Sequence, residues 1–401
     1  QSPIPNPHET IYWNQIYSII KNVKTFINLK LILFLFSKME KEDDKEIREA
    51  IKKGEALYKL LKGNKVDSNS VFNLILDTNN YERQIMNQYI GENHSRSIIE
   101  ALEIDFSGPL RELLIYMFYS PYELDAKLLN TALHGFRTDT KLIVEIFASR
   151  PKWYLELVNE EYKRLFKVTL KSELSKKKKD FYRFLLCLFE NEREEGKHLE
   201  LNEAEKIVGE IYEKGLKSYG TNIELFKKVF VKRSREDFIL ICRVFFKKNP
   251  KNKNFYQACD EQVGGDNREL LKALVYTISD SSHYFAHNLK KAIVGFGTNT
   301  KVVNRILALR AEIDIDVIRE RYLGETGRTL INDIKGDTSG DYCRFLCMLV
   351  NNEPNKKWKI KLYINDNYFN IIESNSYPKE IYTSKIIGDW GLGIGDWGLG
   401  I

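Results

Sequence analysis

The chain has 401 residues, 43% of them hydrophobic and 29% charged, and a formal net charge of +6. That apolar content over that length supports a large core and excludes a wholly disordered chain. The positive surplus favours anionic partners but is too mild to argue for nucleic acid, since the lysines cluster in loops instead of forming a basic stripe with interleaved aromatics.

In chain order, residues 1–44 come first and read as an extension. They hold no methionine before Met39, which falls where a charged helical pattern begins. Phe26 to Phe36 is apolar but only about eleven residues long, against the roughly 20 a bilayer needs, and it contains Asn28 and Lys30. Lys21 and Lys24 precede it as in a secretory leader, yet no small-residue cleavage site follows. At the other end, 353–401 is rich in Asn, Ile, Tyr and Lys and closes on a tandem Gly-Asp-Trp-Gly-Leu-Gly-Ile, the composition of a poorly packed tail. The stretch ahead of Met39 and this tail are expected to lie outside the native protein.

Between the flanks the chain repeats itself. Leu133-His134-Gly135-Phe136-Arg137-Thr138-Asp139-Thr140-Lys141 reads against Ile293-Val294-Gly295-Phe296-Gly297-Thr298-Asn299-Thr300-Lys301, and both run on to Ala-x-Arg, at Ala148/Arg150 and Ala308/Arg310. A third copy is Gly215-Leu216-Lys217-Ser218-Tyr219-Gly220-Thr221-Asn222, and a degenerate one is Lys62-Gly63-Asn64-Lys65-Val66-Asp67. Spacings of roughly 70 to 80 residues define four units, and such a period outranks local assignments. Each unit closes on an apolar helical stripe: Leu110, Leu113, Leu114, Met117 and Phe118; Phe181, Phe184, Leu185, Leu188 and Phe189; Leu270, Leu271, Leu274, Val275 and Ile278; Tyr342, Phe345, Leu346, Leu349 and Val350. Strand-like alternation is scarce, so the fold class is all-α.

These residues resemble the annexin family. His283-Tyr284-Phe285-Ala286-His287-Asn288-Leu289-Lys290-Lys291-Ala292, leading into the glycine loop, looks like the first helix of an annexin repeat, and so does Pro121 through Asp125-Ala126 and Leu129. Ile334-Lys335-Gly336-Asp337-Thr338-Ser339-Gly340-Asp341-Tyr342 is close to the family's repeat ending, and Asp105-Phe106-Ser107-Gly108 is its counterpart in the first repeat. The resemblance covers about residues 45–352. It implies four five-helix repeats in a curved disc, with calcium loops on the convex face. The expected repeats are 45–118, 119–192, 201–280 and 281–352.

It also implies which residues hold metal. In repeat 4 the carbonyls of Ile293, Gly295 and Gly297 and the carboxylate of Asp337 would bind one Ca2+, a hard cation that takes six to eight oxygens. Thr298 reads as the cap of the following helix. Repeat 3 offers the Ser218 and Gly220 carbonyls, but its acid is ambiguous: loop spacing selects Asp260, the closing helix selects Gln262, and Glu261 lies between. Repeat 1 keeps Asp105 but has Lys65 and Val66 in its loop, which points to a weak or absent site. Repeat 2 puts Arg137 at the second glycine and Lys176, Lys177, Lys178 and Lys179 where the acid would be, so calcium gives way either to a merely solvated loop or to direct attraction for anionic head groups, at about 1 kcal/mol per lysine near a charged surface. The loop-tip aromatics Phe136, Tyr219 and Phe296 suit the bilayer interface.

Enzyme signatures are lacking in the sequence: there is no phosphate-cradling glycine loop and no nucleophile elbow. His283 and His287 stand at i and i+4 without a nearby base, as in an ordinary helix of the family. The five cysteines form no Cys-x-x-Cys and lie in apolar helical patterns, so buried free thiols and a reducing, cytoplasmic setting are expected. The sequence thus describes a non-enzymatic protein, peripheral on acidic phospholipid membranes when calcium is raised. The alternative is a largely calcium-independent scaffold whose basic loops contact lipid, cytoskeleton or another protein.

Overall fold

The computed structural model describes residues 29–63, 66–215, 223–249, 251, 253–295 and 297–352, and among these every regular element is a helix. The first repeat comprises α1 (Leu29–Leu61), α2 (Ser68–Leu76), α3 (Asn80–Asn93), α4 (Ile98–Asp105) and α5 (Gly108–Phe118). The second comprises α6 (Pro121–His134), α7 (Thr140–Ser149), α8 (Lys152–Phe166), α9 (Leu170–Ser175) and α10 (Asp180–Glu190). The third has α11 (Leu201–Glu210), α12 (Ile223–Phe226), α13 (Arg235–Lys248), α14 (Phe255–Gln262) and the first half of α15 (Gly265–Ile293). The second half of α15, α16 (Thr300–Arg310), α17 (Ile315–Thr326), α18 (Leu330–Asp337) and α19 (Gly340–Asn351) form the fourth. α1 is one continuous helix through Met39, starting well ahead of residue 45. None of the described helices is long and apolar enough to cross a membrane.

Local chemistry sets the boundaries. Asn79 with Glu82, Ser97 with Glu100 and Asn254 with Gln257 are reciprocal capping boxes, each satisfying helix-terminal N–H groups that would otherwise lack partners. α15 breaks at Asp280 (φ −157°, ψ 97°), whose carboxylate caps the second half by accepting from His283 N at 3.0 Å. Arg235 closes the first half, donating to the carbonyls of Ile278 (3.1 Å) and Ser279 (2.6 Å). The closing-helix stripes face one continuous core; of the residues read from the pattern only Leu188 and Tyr342 keep appreciable exposure. The cysteines are free, but only Cys259 is a fully buried residue; Cys187, Cys242, Cys343 and Cys347 are half-buried, correcting the expectation for four of the five. They lie toward the margins of their stripes, where the helix turns to solvent.

Polar contacts close the four units into a ring. α7 packs on α15 and α5 on α16, so repeat 4 touches both repeat 2 and repeat 1. Repeat 1 meets repeat 4 through Arg344 Nη1 donating to Asn69 Oδ1 (2.7 Å) and Asn352 Nδ2 to the Leu76 carbonyl (2.9 Å). Asn304 Nδ2 donates to the Pro109 carbonyl (2.9 Å) and to Glu112 Oε2 (2.8 Å). The buried Arg83 donates to the Met117 carbonyl (2.8 Å) and to the carboxylate of Glu312. Repeats 2 and 3 are joined by Thr277 Oγ1 donating to the Ala148 carbonyl (2.7 Å). At the centre Arg305 on α16 grips Glu145 on α7 through two bonds of 2.7 and 2.8 Å, both partners buried.

Candidate functional site

The loop between α15 and α16 is built by its glycines. Gly295 lies at φ +142° and Gly297 at φ +85°, conformations that side chains with a Cβ rarely adopt. The α15 end is satisfied by Val294 N donating to the Lys290 carbonyl (2.8 Å), and the loop closes with Asn299 N donating to the Ala292 carbonyl (2.7 Å). Asn299, not Thr298, caps α16, its side chain accepting from Val302 N. Thr298 is used otherwise: its hydroxyl donates to the backbone carbonyl of Asp337 (3.1 Å) and so ties the loop to the last residue of α18. This bond joins the segment of Gly295 and Gly297 to that of Asp337, all three exposed, while the Ile293 residue just before them is buried. Phe296 lies outside the described residues.

The corresponding loop of repeat 2 closes by the same bond but takes another path. Asp139 N donates to the Ala132 carbonyl (3.0 Å) and the Asp139 side chain caps α7 at Leu142 N (3.1 Å). Gly135, however, sits at φ −63°, and Lys167 is the only described non-glycine residue with positive φ, so Arg137 does not reproduce the Gly297 turn. The cause is steric: a left-handed conformation costs a residue with a Cβ about 1–2 kcal/mol. Phe136 at the tip is fully exposed, at 106%. The four lysines opposite are not one free cluster. Lys176 pairs with Glu173 (2.6 Å), which also faces His134 (3.2 Å); the Lys176 hydrogen bond holds the Glu173 carboxyl below its usual range. Lys179 reaches Asp266 (3.5 Å) and Lys177 lies over the Tyr182 ring (5.9 Å). Lys178 is exposed.

Repeat 3 is irregular on both sides of its loop. α11 passes into π-helical winding at Ile211–Gly215, and α12 does so at Lys227–Lys232. Each π turn accommodates an extra residue, which is how uneven repeat spacing is absorbed. Ser218, Tyr219 and Gly220 lie outside the described residues. α14 ends at Gln262, three residues before Gly265 (φ +61°), as Asp337 precedes Gly340 (φ +61°) by three. Gln262 therefore holds the register of Asp337, while Asp260 stands further back and accepts from Lys272 at 2.7 Å. The same register in repeat 1 falls on Asp105, three residues before Gly108 (φ +60°). Desolvation raises the Asp105 pKa, Arg96 opposing it, and its Oδ2 finds no hydrogen-bond partner among the described residues.

One arrangement was not visible in the sequence. His283 and His287 meet Glu325, carried by α17: His287 Nδ1 is 2.7 Å and His283 Nε2 3.6 Å from its carboxylate, with Lys290 Nζ at 3.3 Å. All of the Glu325 partners lie on α15, so the base absent from the histidines' own helix comes from its neighbour. Among the described residues no group of three or more His, Cys, Asp or Glu is placed to hold a metal ion, so this is an ion-paired cluster.

Four five-helix units in a closed ring, with the repeat 4 turn bonded to the end of its fourth helix, define the class: an all-α repeat disc. The annexin family model matches residues 124–188 and 284–349. Rabbit annexin A11 is 28% identical over 297 residues, covering 74% of this chain and 59% of its own length, so the chain spans about three-fifths of that relative. Human annexin A4 is 28% identical over 301 residues, 75% of this chain and 94% of its own. The solved structure of chicken annexin V superposes with a TM-score of 0.69 at 26% identity, over 75% of this chain and 95% of that one. The family model, the relatives and the solved structures together support an annexin-family protein.

Proposed function

We propose that this protein binds acidic phospholipid membranes in a calcium-dependent way, as a peripheral protein of the cytoplasm, with repeat 4 as the principal calcium site. The observation that carries this is the joining of the two ligand-bearing elements: positive-φ glycines at 295 and 297, and a Thr298 hydroxyl bonded to the backbone of Asp337. Calcium takes oxygen ligands in a flexible shell. The carbonyls of Ile293, Gly295 and Gly297 and the Asp337 carboxylate are of that chemistry, and the exposed edge leaves room for a lipid phosphate on the same ion.

The other three loops have subordinate roles in this reading. Repeat 2 contributes Phe136, the exposed Lys178 and its lysine neighbours to the lipid surface without calcium, while Phe296 and Tyr219 join Phe136 at the interface. Repeat 3 is weakened by its Lys272-paired Asp260 and by Gln262 in the ligand register. Repeat 1 keeps only the desolvated Asp105.

Co-sedimentation with phosphatidylserine-containing liposomes tests the proposal, with calcium and with chelator, for the full chain, Asp337→Ala and a variant with Lys176 to Lys179 changed to Ser. Calcium-dependent pelleting that Asp337→Ala strongly weakens is the expected result. Pelleting that persists in chelator and disappears only in the lysine variant would replace it with the calcium-independent scaffold.

A further inference from the structure

We propose that Cys343 and Cys347, supported by Met348, form a solvent-accessible site for copper(I). The two cysteines stand at i and i+4 on α19, a spacing that places side chains about 5–6 Å apart on one helix face. Both are free and half-buried, and the Cys343 side chain hydrogen-bonds to the Cys347 thiol. They open into one shallow cleft of about 460 Å³, whose wall also carries Met348, Lys335, Arg344 and Asn351. Three sulfur atoms thus share one accessible cleft. The other cysteines lack this arrangement: Cys259 is buried, and neither it nor Cys187 nor Cys242 lines the cleft.

The donor set selects the ion. Thiolate and thioether sulfur prefer soft monovalent copper, whereas calcium and magnesium need oxygen, and structural zinc needs four nitrogen or sulfur ligands. No histidine or carboxylate lines the cleft. Two thiolates on Cu+ make a unit of charge −1, and Lys335 and Arg344 stand in the same wall to offset it. Arg344 is held in place by Asp341 (2.9 Å) and Asn69 (2.7 Å). Binding changes no oxidation state: Cu+ joins two sulfurs and the protons they carried leave to solvent. Both thiols must lose a proton to bind the ion, so affinity rises with pH. The cleft lies beside the candidate calcium edge, since Lys335 and Gly340 of its wall flank Asp337.

The test is an anaerobic titration of the full chain with Cu+ against the chromophoric chelator bicinchoninate, at several pH values. The full chain should withdraw one equivalent, more tightly at higher pH, and protect Cys343 and Cys347 from iodoacetamide in peptide mass maps. Cys343→Ser and Cys347→Ser should each weaken binding by about 100-fold or more, at least the loss that follows removal of an outer-shell partner, Met348→Leu by less, and Cys187→Ser not at all. Helical circular dichroism identifies the folded variants, and the labelling map of the unmutated chain gives the answer without any variant. Copper retained by the double serine variant, loss on Cys187→Ser, or labelling of Cys343 and Cys347 unaffected by Cu+ would overturn the assignment.

Discussion

Changing Gly297 to alanine isolates what the glycine loop does. Its φ of +85° is in the region where a Cβ costs about 1–2 kcal/mol. No heavy atom lies within 4 Å of the place a Cβ would take, so no clash adds to that cost. Free of calcium, the variant loop has an escape: the path of the repeat 2 loop, which keeps the closing bond (Asp139 N to the Ala132 carbonyl, 3.0 Å) without a positive φ at Arg137. Relaxation of this kind leaves folding stability nearly unchanged and shifts the cost to ligand binding, because the carbonyls must be turned back to meet the ion. A cost of about 1–2 kcal/mol corresponds to roughly a 5- to 30-fold rise in the calcium needed for half-maximal liposome co-sedimentation. Melting curves recorded in chelator measure how much of the cost stays in the fold. Gly324→Ala is the control, a helical glycine with open space around it, and should stabilise α17 by about 0.5–1 kcal/mol with no effect on calcium. A Gly297→Ala protein with both the calcium midpoint and the melting curve unchanged would refute the role given to this turn.

Glu145→Ala leaves the buried Arg305 guanidinium without its two-pronged partner and should cost about 3–5 kcal/mol in denaturant unfolding, most of it recovered when Arg305→Met is added. The Glu325 carboxyl is held well below its usual range by its histidine and Lys290 contacts, which outweigh desolvation. A depressed carboxylate stabilises the fold above its unfolded pKa of about 4.3 and loses that contribution as pH falls below it. The melting-temperature gap between the unmutated chain and Glu325→Gln should therefore hold from pH 7 to 5 and shrink below about pH 4. Phe136→Ser should change stability by less than about 0.5 kcal/mol, because the ring is fully exposed, yet reduce liposome partitioning by roughly 10- to 150-fold, since burying a Phe side chain is worth about 1.5–3 kcal/mol. Unchanged partitioning would remove Phe136 from the membrane face.

Local pattern carried most of the fold. Apolar residues at helical spacing, reciprocal caps such as Asn79 with Glu82, and glycines at fixed places in each unit are short-range signals, and they determined the helices and the four-fold repetition. The tertiary structure alone decided what required elements distant in sequence to meet. It put Gln262 at the end of α14, the place that Asp337 holds on α18, each three residues ahead of a left-handed glycine. It paired Lys179 with Asp266 of α15, and it gave Thr298 to Asp337 instead of to its own helix. It also brought Glu325 to His283 and His287, and Arg305 to Glu145 across the centre of the ring. Periodicity reports which face of a helix is buried; it does not report which neighbour covers that face, and charge pairing depends on the neighbour.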